Sequence, residues 1–425
     1  MRVRLHVDFV IARCGGKLTM PVRLDRIPPK AVRPARPSFL LWLGLLLFFL
    51  LLGTGYALLF GSESLHQPPS KFWQFYLSMP LLVWCLLGCG RLLLHIGQLS
   101  VADAWDKARQ EDVDNKLRQG RRSQQVLGVS LYTGLREVGQ QPAIQLDAFL
   151  GGVSALRIQP SRIAEGAVLQ SCLPVDTHED PEYIIQRVMA SVLADMTKIL
   201  AALPDNQPVA LLLELDSGLP QSRLCQIWQK AWNESGIRQK AVPVDGVGLA
   251  ALDDWLDQRA ADPAMLLVVA LQFAQPQAEG TAEVAVGLLL GNRLTQATLP
   301  PLAYLHRPEE ERGQTSEHLR YAVRQALDWV PLQASAIKQV WGTGYTARRG
   351  SAIAPVLAEV AIPGQHTKAF CDLNGLLGHP GQAAPWLAIA AATQNIQRSA
   401  GAQFIFSGGI SADAGLWCTV VAPVT

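Results

Sequence analysis

The sequence predicts an α/β domain preceded by a two-helix transmembrane hairpin. Two uncharged apolar runs lie near the N-terminus, Phe39 to Phe60 and Phe72 to Gly90. Beyond them, short continuous apolar stretches suited to buried strands alternate with amphipathic helical stretches. The apolar fraction is 49% and the charged fraction 17%, below the usual ~25%, which excludes a disordered chain. Seven cysteines in 425 residues exclude a disulfide scaffold.

Taken in order, residues 1–38 hold nine Lys/Arg against two acids. Pro28, Pro29, Pro34 and Pro37 keep this segment extended, and Met20 opens MPVRLDRIPPK, which reads like a natural start. At ~1.5 Å per residue the first apolar run reaches about 33 Å, enough to cross a bilayer. The second carries Trp73, Phe75 and Tyr76 near its start, residues suited to the headgroup interface. It extends to Leu94 with Arg91 snorkelling. A buried hairpin in a soluble core is the alternative, but soluble core helices rarely run this long without a charge. A cleaved signal peptide fits poorly, because the first run is too long and a second follows. Cys85 and Cys89 fall inside the second run and are not read as metal ligands.

Arg33 and Arg36 precede the first span; Lys71 and Arg91 flank the second. The connector from Gly61 to Lys71 holds one charge of each sign. Basic flanks stay in the cytoplasm, so both chain ends are expected there and only the connector outside. The hairpin thus occupies residues 39–97, with spans at 39–60 and 72–94.

Residues 98–150 read as a polar helix and linker. Asp103, Asp106, Lys107, Arg109, Glu111, Asp112, Lys116 and Arg118 interleave at helical spacing, as on a solvated helix. The cytoplasmic α/β domain is expected over 151–425. Its strand candidates are Val209 to Leu215, Met265 to Leu271, Val284 to Leu290 and Phe404 to Ser407. Its helix candidates are Tyr183 to Leu203, Ser222 to Glu234, Leu249 to Arg259, Ser316 to Trp329 and Ala383 to Gln397. Helices alternating with continuous apolar strands indicate sheets covered on both faces. No repeat period is visible.

Several motifs carry no chemistry. Gly246-Val-Gly248-Leu-Ala-Ala251 grazes a dinucleotide fingerprint, but the next strand ends Leu271-Gln272-Phe273 without the acid that would hold a ribose. No Walker A, C-x-x-C, H-E-x-x-H or G-x-S-x-G occurs, so no cofactor or metal is expected. Asp253, Asp254 and Asp257 read as a solvated acidic helix face, and Glu309, Glu310 and Glu311 as the exposed start of a helix-containing loop. The net charge of +2 conceals two opposite parts. Residues 1–97 hold 11 basic and 3 acidic residues, and residues 98–425 hold 26 and 32. An acidic soluble part argues against binding a phosphate backbone.

The C-terminal third carries a distinctive order: Ala285 to Leu290, a helix Ser316 to Trp329, Trp341-Gly342-Thr343-Gly344, and Gly378-His379-Pro-Gly-Gln-Ala383-Ala384. This succession resembles the second half of β-ketoacyl synthases of the thiolase superfamily, with their H-G-T-G-T turn and a G-H-x-x-x-A-A turn opening a helix. The resemblance spans roughly residues 200–422 and implies a thiolase-like layered α/β domain. In that family a Cys accepts the acyl group and the two turn histidines serve decarboxylation and condensation. Here Gly342, Thr343 and Gly344 match the first turn, but Trp341 stands at its histidine; Gly378, His379, Ala383 and Ala384 match the second. The family nucleophile sits in a T-A-C-S-S-like turn opening a buried helix in the first half. The helix most like that one, Tyr183 to Leu203, follows Thr177-His178-Glu179-Asp180-Pro181, without a cysteine. Without a thiolate, covalent acyl transfer has no acceptor. These residues are therefore read as a vestigial pocket with no catalytic member.

The anchor, the degenerate domain and phrases such as LLVVALQF, GLLLGNRLTQ, PPLAYLHRPE and AAPWLAIAAA resemble membrane-anchored accessory proteins associated with type VI secretion effectors. That resemblance implies a bacterial inner-membrane adaptor or chaperone that helps load or deliver an effector. Its partners would be the effector, the spike protein, or a second thiolase-like subunit in a homo- or heterodimer. The rivals are an acyl-transferring or acyl-hydrolysing enzyme, with His379 as base and Cys371 as nucleophile, and a module that holds an acyl thioester without chemistry.

Overall fold

The structure is a computed structural model that describes residues 22–60, 69–137, 140–163, 165–174, 179–363, 369–398, 400–409 and 414–424, excepting the side chains at 57, 58, 60 and 69–76. Met20, the side chains of Lys71, Trp73, Phe75 and Tyr76, and Thr177-His178 lie outside the described residues. The chain divides into two units, the first of them Val22–Leu117 and the second continuing from Arg118.

In the first unit, α1 (Phe39–Phe60) is followed by α2 (Pro69–Gly120). Both are long and apolar enough to cross a membrane, and the apolar stretch of neither is buried within the chain. The second expected span and the polar helix after it are one continuous helix. The two helices run antiparallel: the Trp42 and Trp84 rings meet edge to face at 6.5 Å, and the Trp84 indole donates to the Trp42 carbonyl at 2.9 Å. The proline-rich segment folds back along the polar half of α2. Arg109 donates to the Pro28 carbonyl (2.7 Å), the Ala31 amide to Asp106 (2.9 Å), and Arg33 pairs with Asp103 (3.3 Å). Arg36 is exposed and Arg91 half-buried.

The second unit is built from two halves of one topology. The first comprises β1 (Ser123–Tyr132), α3 (Pro142–Leu150), the hairpin β2 (Arg157–Pro160) and β3 (Ala167–Gln170), α4 (Pro181–Leu200), β4 (Val209–Ser217), α5 (Gln221–Glu234), β5 (Ala241–Pro243), α6 (Gly248–Gln258), β6 (Met265–Phe273) and β7 (Val284–Asn292). The second comprises β8 (Ala303–His306), β9 (Glu309–Glu310), α7 (Ser316–Trp329), β10 (Gln339–Thr343), α8 (Ala347–Val360), β11 (Phe370–Asp372), α9 (Leu373–Leu377), α10 (Ala384–Ile396), β12 (Gln403–Ser407) and β13 (Trp417–Ala422). The strands follow the order β5-β4-β6-β7-β1 in one half and β11-β10-β12-β13-β8 in the other. In each, the fifth strand runs antiparallel to its neighbours, and β1 pairs with β8 where the halves join.

Three apolar clusters fill the layers. The α6 and α10 helices pack between the two halves of the sheet with Val126, Leu212, Val268, Trp341 and Ile405. Alternate residues of the same strands, such as Leu211, Leu267 and Val269, face α4 and α5; Val340, Phe404 and Val420 face α7 and α8. Strands covered on both faces have no polar side to show, which is why all nine residues of β6 and of β7 are buried. Helix α10 is buried along its whole length, as an all-round apolar helix must be. The outer helices are amphipathic and capped at their starts: Asp180 accepts the Glu182 amide and Thr315 the His318 amide.

Three sequence expectations are corrected. The polar linker over 98–150 ends early, because Ser123–Tyr132 is a buried strand at the joint between the halves. The acidic face of α6 is not solvated. Asp253 is buried, and both it and Asp257 pair with the fully buried Arg307 at 2.7 Å. Glu309 and Glu311 are buried too, paired with Arg312 and Arg349.

Candidate functional site

Two glycine turns meet at the C-terminal ends of the second-half strands. The first closes β10 at Gly344, whose φ of 71° is left-handed. A Cβ there would come within 2.5 Å of the Ala384 Cβ. Its amide donates to Asn374 Oδ1 at 2.8 Å, the Asn374 amide group donates to the Tyr345 carbonyl at 2.8 Å, and the Tyr345 hydroxyl donates to Asp372 at 3.1 Å. The second turn has Gly378 at φ 96°. A Cβ there would lie 2.7 Å from the Gly280 carbonyl oxygen. The His379 amide donates to that carbonyl at 2.7 Å, and Ala282 and Gln272 donate to the His379 carbonyl at 3.0 Å.

The His379 ring joins the two turns. The Gly381 amide donates to Nδ1 at 3.1 Å, and Nε2 lies 3.1 Å from the Gly344 carbonyl. An Nδ1 that accepts leaves the proton on Nε2, which donates to Gly344. The residue is exposed at the surface, although its ring lies against the turn. Burial of the ring pushes the pKa below the ordinary imidazole value, although the Gly344 carbonyl works the other way. The ring is neutral at pH 7, with no free lone pair to take a proton.

Trp341 does not join His379. Its indole is fully buried and donates to Gln403 Oε1 at 2.6 Å, an oxygen that also accepts from Asn395 at 3.2 Å. Asn395 lies in the last turn of α10, whereas His379 precedes its first. Eleven helical steps separate Ala384 from Asn395, about 16 Å. Gly342 and Thr343 lie in β10, with Thr343 buried and its hydroxyl unpartnered. Ala383 and Ala384 are buried at the start of α10.

The duplicated topology locates the equivalent turn in the first half. Helix α10 connects the third and fourth strands of its half, and its counterpart is α6, not α4. Helix α4 packs on the other face of the strands, against β1, β4, β6 and β7, so in topology the first-half counterpart of α10 is α6 and not Tyr183 to Leu203. Helix α6 instead opens with Gly246 and Gly248, at φ 119° and 59°. Sequence reasoning missed what faces this turn. Glu214, buried on β4, accepts the Gly248 amide at 2.6 Å and the Trp386 indole N–H at 2.8 Å. Burial raises its pKa to about 6, while those two hydrogen bonds hold it down. The opening of a helix favours an anion, and this one already has its own. The available signal was the single acid in the apolar run VALLLEL.

The described cysteines of the domain offer no thiolate near these turns. Cys371 is buried in β11, where its thiol donates to the Phe149 carbonyl at 3.6 Å; burial and then the Asp372 charge push its pKa to about 12. Burial and the Glu283 charge do the same to Cys172, again to about 12, and burial raises Cys418 well above the ordinary thiol value.

No protein-family model and no curated protein matches this sequence. Solved structures do. The ishigamide ketosynthase/chain length factor superposes with a TM-score of 0.52 at 15% identity, covering 71% of this chain and all of that one. A type II PKS acyl-carrier protein in complex with its ketosynthase bound to the hexaketide gives a TM-score of 0.50 at 10% identity, covering 72% of this chain and 100% of that chain. The α/β unit has a thiolase-like fold, and the resemblance carried by the two glycine turns holds at the level of fold.

Proposed function

We propose that this chain is a non-catalytic, membrane-anchored thiolase-like adaptor that assists loading or delivery of a type VI secretion effector. The observation that carries the first part is Glu214. Where an acyl acceptor would open the central helix stands Gly248, its amide engaged by a buried carboxylate. His379, with both ring nitrogens bonded to backbone, adds support, as do thiols held protonated. The anchor reading is supported by the two long apolar antiparallel helices, and the contacts of the basic segment with the polar half of α2 are consistent with both lying on one side of a bilayer. An apolar contact surface is offered by the β2–β3 hairpin, where cross-strand partners Ile158 and Leu169 are 77% and 39% exposed.

The test is affinity capture of the full chain from detergent extract of its native cells, with mass spectrometry of what co-elutes. Recovery of a type VI effector or spike protein, reduced by Ile158→Glu, is the expected result. Recovery of neither overturns the adaptor reading. Acyl-thioester labelling that vanishes in Cys371→Ala overturns the non-catalytic part.

A further inference from the structure

Helix α2 carries two stripes at heptad spacing. The first runs through Trp84, Gly88, Arg91, His95, Ala102 and Asp106, all buried or half-buried. Trp84 meets α1, and Asp106 accepts the Ala31 amide of the proline-rich segment. The second stripe is exposed at every position. Within the expected span it comprises Val83, Leu87, Gly90 and Leu94, and past Leu94 it continues at the same steps as Gly97, Val101, Ala104 and Ala108. In lipid an apolar stripe needs no protein partner, but beyond the span it does. There Val101 is still 71% exposed, and Val32 of the proline-rich segment beside it is 94% exposed. Both line a groove of about 940 Å³ whose floor is Gly90, Leu94, Gly97 and Val101 and whose wall is the segment from Ala31 to Pro34. A Cβ on Gly90 or Gly97 would meet nothing within 4 Å.

We propose that α2 pairs in parallel with α2 of a second copy of this chain along this seam, an inference that rests on the anchor reading for its orientation and not on the adaptor role. Two copies inserted in one bilayer share an orientation, so each seam position meets itself. Glycine at alternate seam positions lets the backbones approach closely, while Leu94 and Val101 fill the space between them. The charges agree with this register. In a parallel heptad pair, a residue flanking the seam faces the one five positions further on in the other helix. The exposed Lys107 of each copy therefore faces Asp112 of the other, opposite charges on both sides of the two-fold axis. Pairing stops at the next seam position, Glu111, where like charges would meet. A lipid acyl chain could occupy the groove, but it accounts neither for heptad steps that continue to Ala108 outside the bilayer nor for the matched Lys107 and Asp112.

The test is oxidative cross-linking of the full chain in isolated membranes. Val101→Cys and Ala104→Cys are expected to give a disulfide-linked dimer, because facing seam positions come within disulfide reach. Gln110→Cys, exposed but off the seam, is expected to give none. The native Cys85 and Cys89 are exposed and also off the seam, so the unsubstituted chain supplies the background. Gly97→Leu crowds nothing within its own chain, yet it is expected to weaken association about tenfold, read as energy transfer between labelled copies in liposomes. Lys107→Glu is expected to weaken it as well, and adding Asp112→Lys to restore it. Equal cross-linking at the seam and at Gln110→Cys, no cross-link at either seam position, or unchanged association in Gly97→Leu overturns the proposal. A lipid that co-purifies with a chain that does not cross-link assigns the groove to an acyl chain instead. Alkaline carbonate extraction keeps the two readings apart. A chain that stays in the membrane without cross-linking refutes the seam alone, and one that is extracted refutes the anchor and the seam with it.

Discussion

Replacing Glu214 by Gln tests the electrostatics at the centre of the fold. Burial raises this carboxyl from 4.5 to about 6 in the folded chain. A group with a raised folded pKa contributes stability that is complete below the unfolded value and is lost as pH climbs through the folded one. At ~1.36 kcal/mol per pH unit, ionising Glu214 costs the fold about 2 kcal/mol between pH 4.5 and pH 6 and above. Glutamine removes that cost but introduces another. Its NH2 must face either the Gly248 amide or the Trp386 indole, both donors, which forfeits one hydrogen bond of about 1.5–3 kcal/mol. At pH 7 the two effects nearly cancel, and Glu214→Gln is expected to match wild type to within about 1 kcal/mol. At pH 4.5 only the lost bond remains, and the variant is expected to be about 2 kcal/mol less stable. The assay is thermal unfolding of the full chain in detergent, followed by tryptophan fluorescence from pH 4 to 8. Other raised acids, Asp253 (about 6) and Glu309 (about 7), shape both curves alike and drop out of the difference. A constant offset between the two curves across that range refutes the reasoning, because it means the carboxyl titrates normally.

Arg307→Met is expected to cost about 3–5 kcal/mol, since it strands Asp253 and Asp257 in the core. The loss of melting temperature should shrink as pH falls towards 6, because burial raises the Asp253 pKa while Arg307 holds it down to about 6, and without Arg307 the carboxyl takes up its proton at higher pH. Iodoacetamide at pH 7.5 is expected to leave Cys371 and Cys418 unmodified in the folded chain and to alkylate both in urea, as peptide mass mapping will show; modification of folded Cys371 contradicts its burial. Gly120→Leu is expected to destabilise by about 1–3 kcal/mol through overpacking, because a side chain there enters the space of the Trp329 ring. Trp329→Ala in the same chain should recover part of that loss.

Elements with a single kind of neighbour were legible in the sequence. The first apolar run emerges as the helix α1 at Phe39–Phe60, and the apolar runs at 209, 265, 284 and 404 emerge as β4, β6, β7 and β12, because a strand buried on both faces must be apolar throughout. Strand β1 was not legible, since Ser123, Gln124 and Gln125 at its start read as linker although all three are buried. The duplication was hidden for a related reason. It repeats strand order and helix placement, whereas side chains at matched positions diverge, as Gly248 and Ala384 do. The buried acids of α6 were misread because Arg307 lies 50 residues from Asp257 along the chain. Residue types alone cannot distinguish a solvated carboxylate from one whose counter-charge arrives by topology. The same limit applies to Trp341 and His379, which the spacing of two turns suggested as neighbours and which α10 holds apart.

Both glycine turns have a steric explanation. A Cβ at Gly344 would come within 2.5 Å of Ala384, and one at Gly378 within 2.7 Å of the Gly280 carbonyl. Both positions also have positive φ, so any other residue would be strained as well as crowded. His379 is fixed by the same geometry, because its ring bonds the Gly344 carbonyl and the Gly381 amide. Each of these residues is therefore required by the packing of α10 against β10 and the 274–283 loop, whether or not any chemistry occurs there. Their presence reports on the fold. A residue that packing does not require is the informative one, and at the opening of α6 the carboxylate of Glu214 meets that description: it sits buried at an energetic cost, where an apolar side chain would be cheaper to bury. Function in this domain is best sought in what that carboxylate excludes from the helix opening and in the surfaces around it.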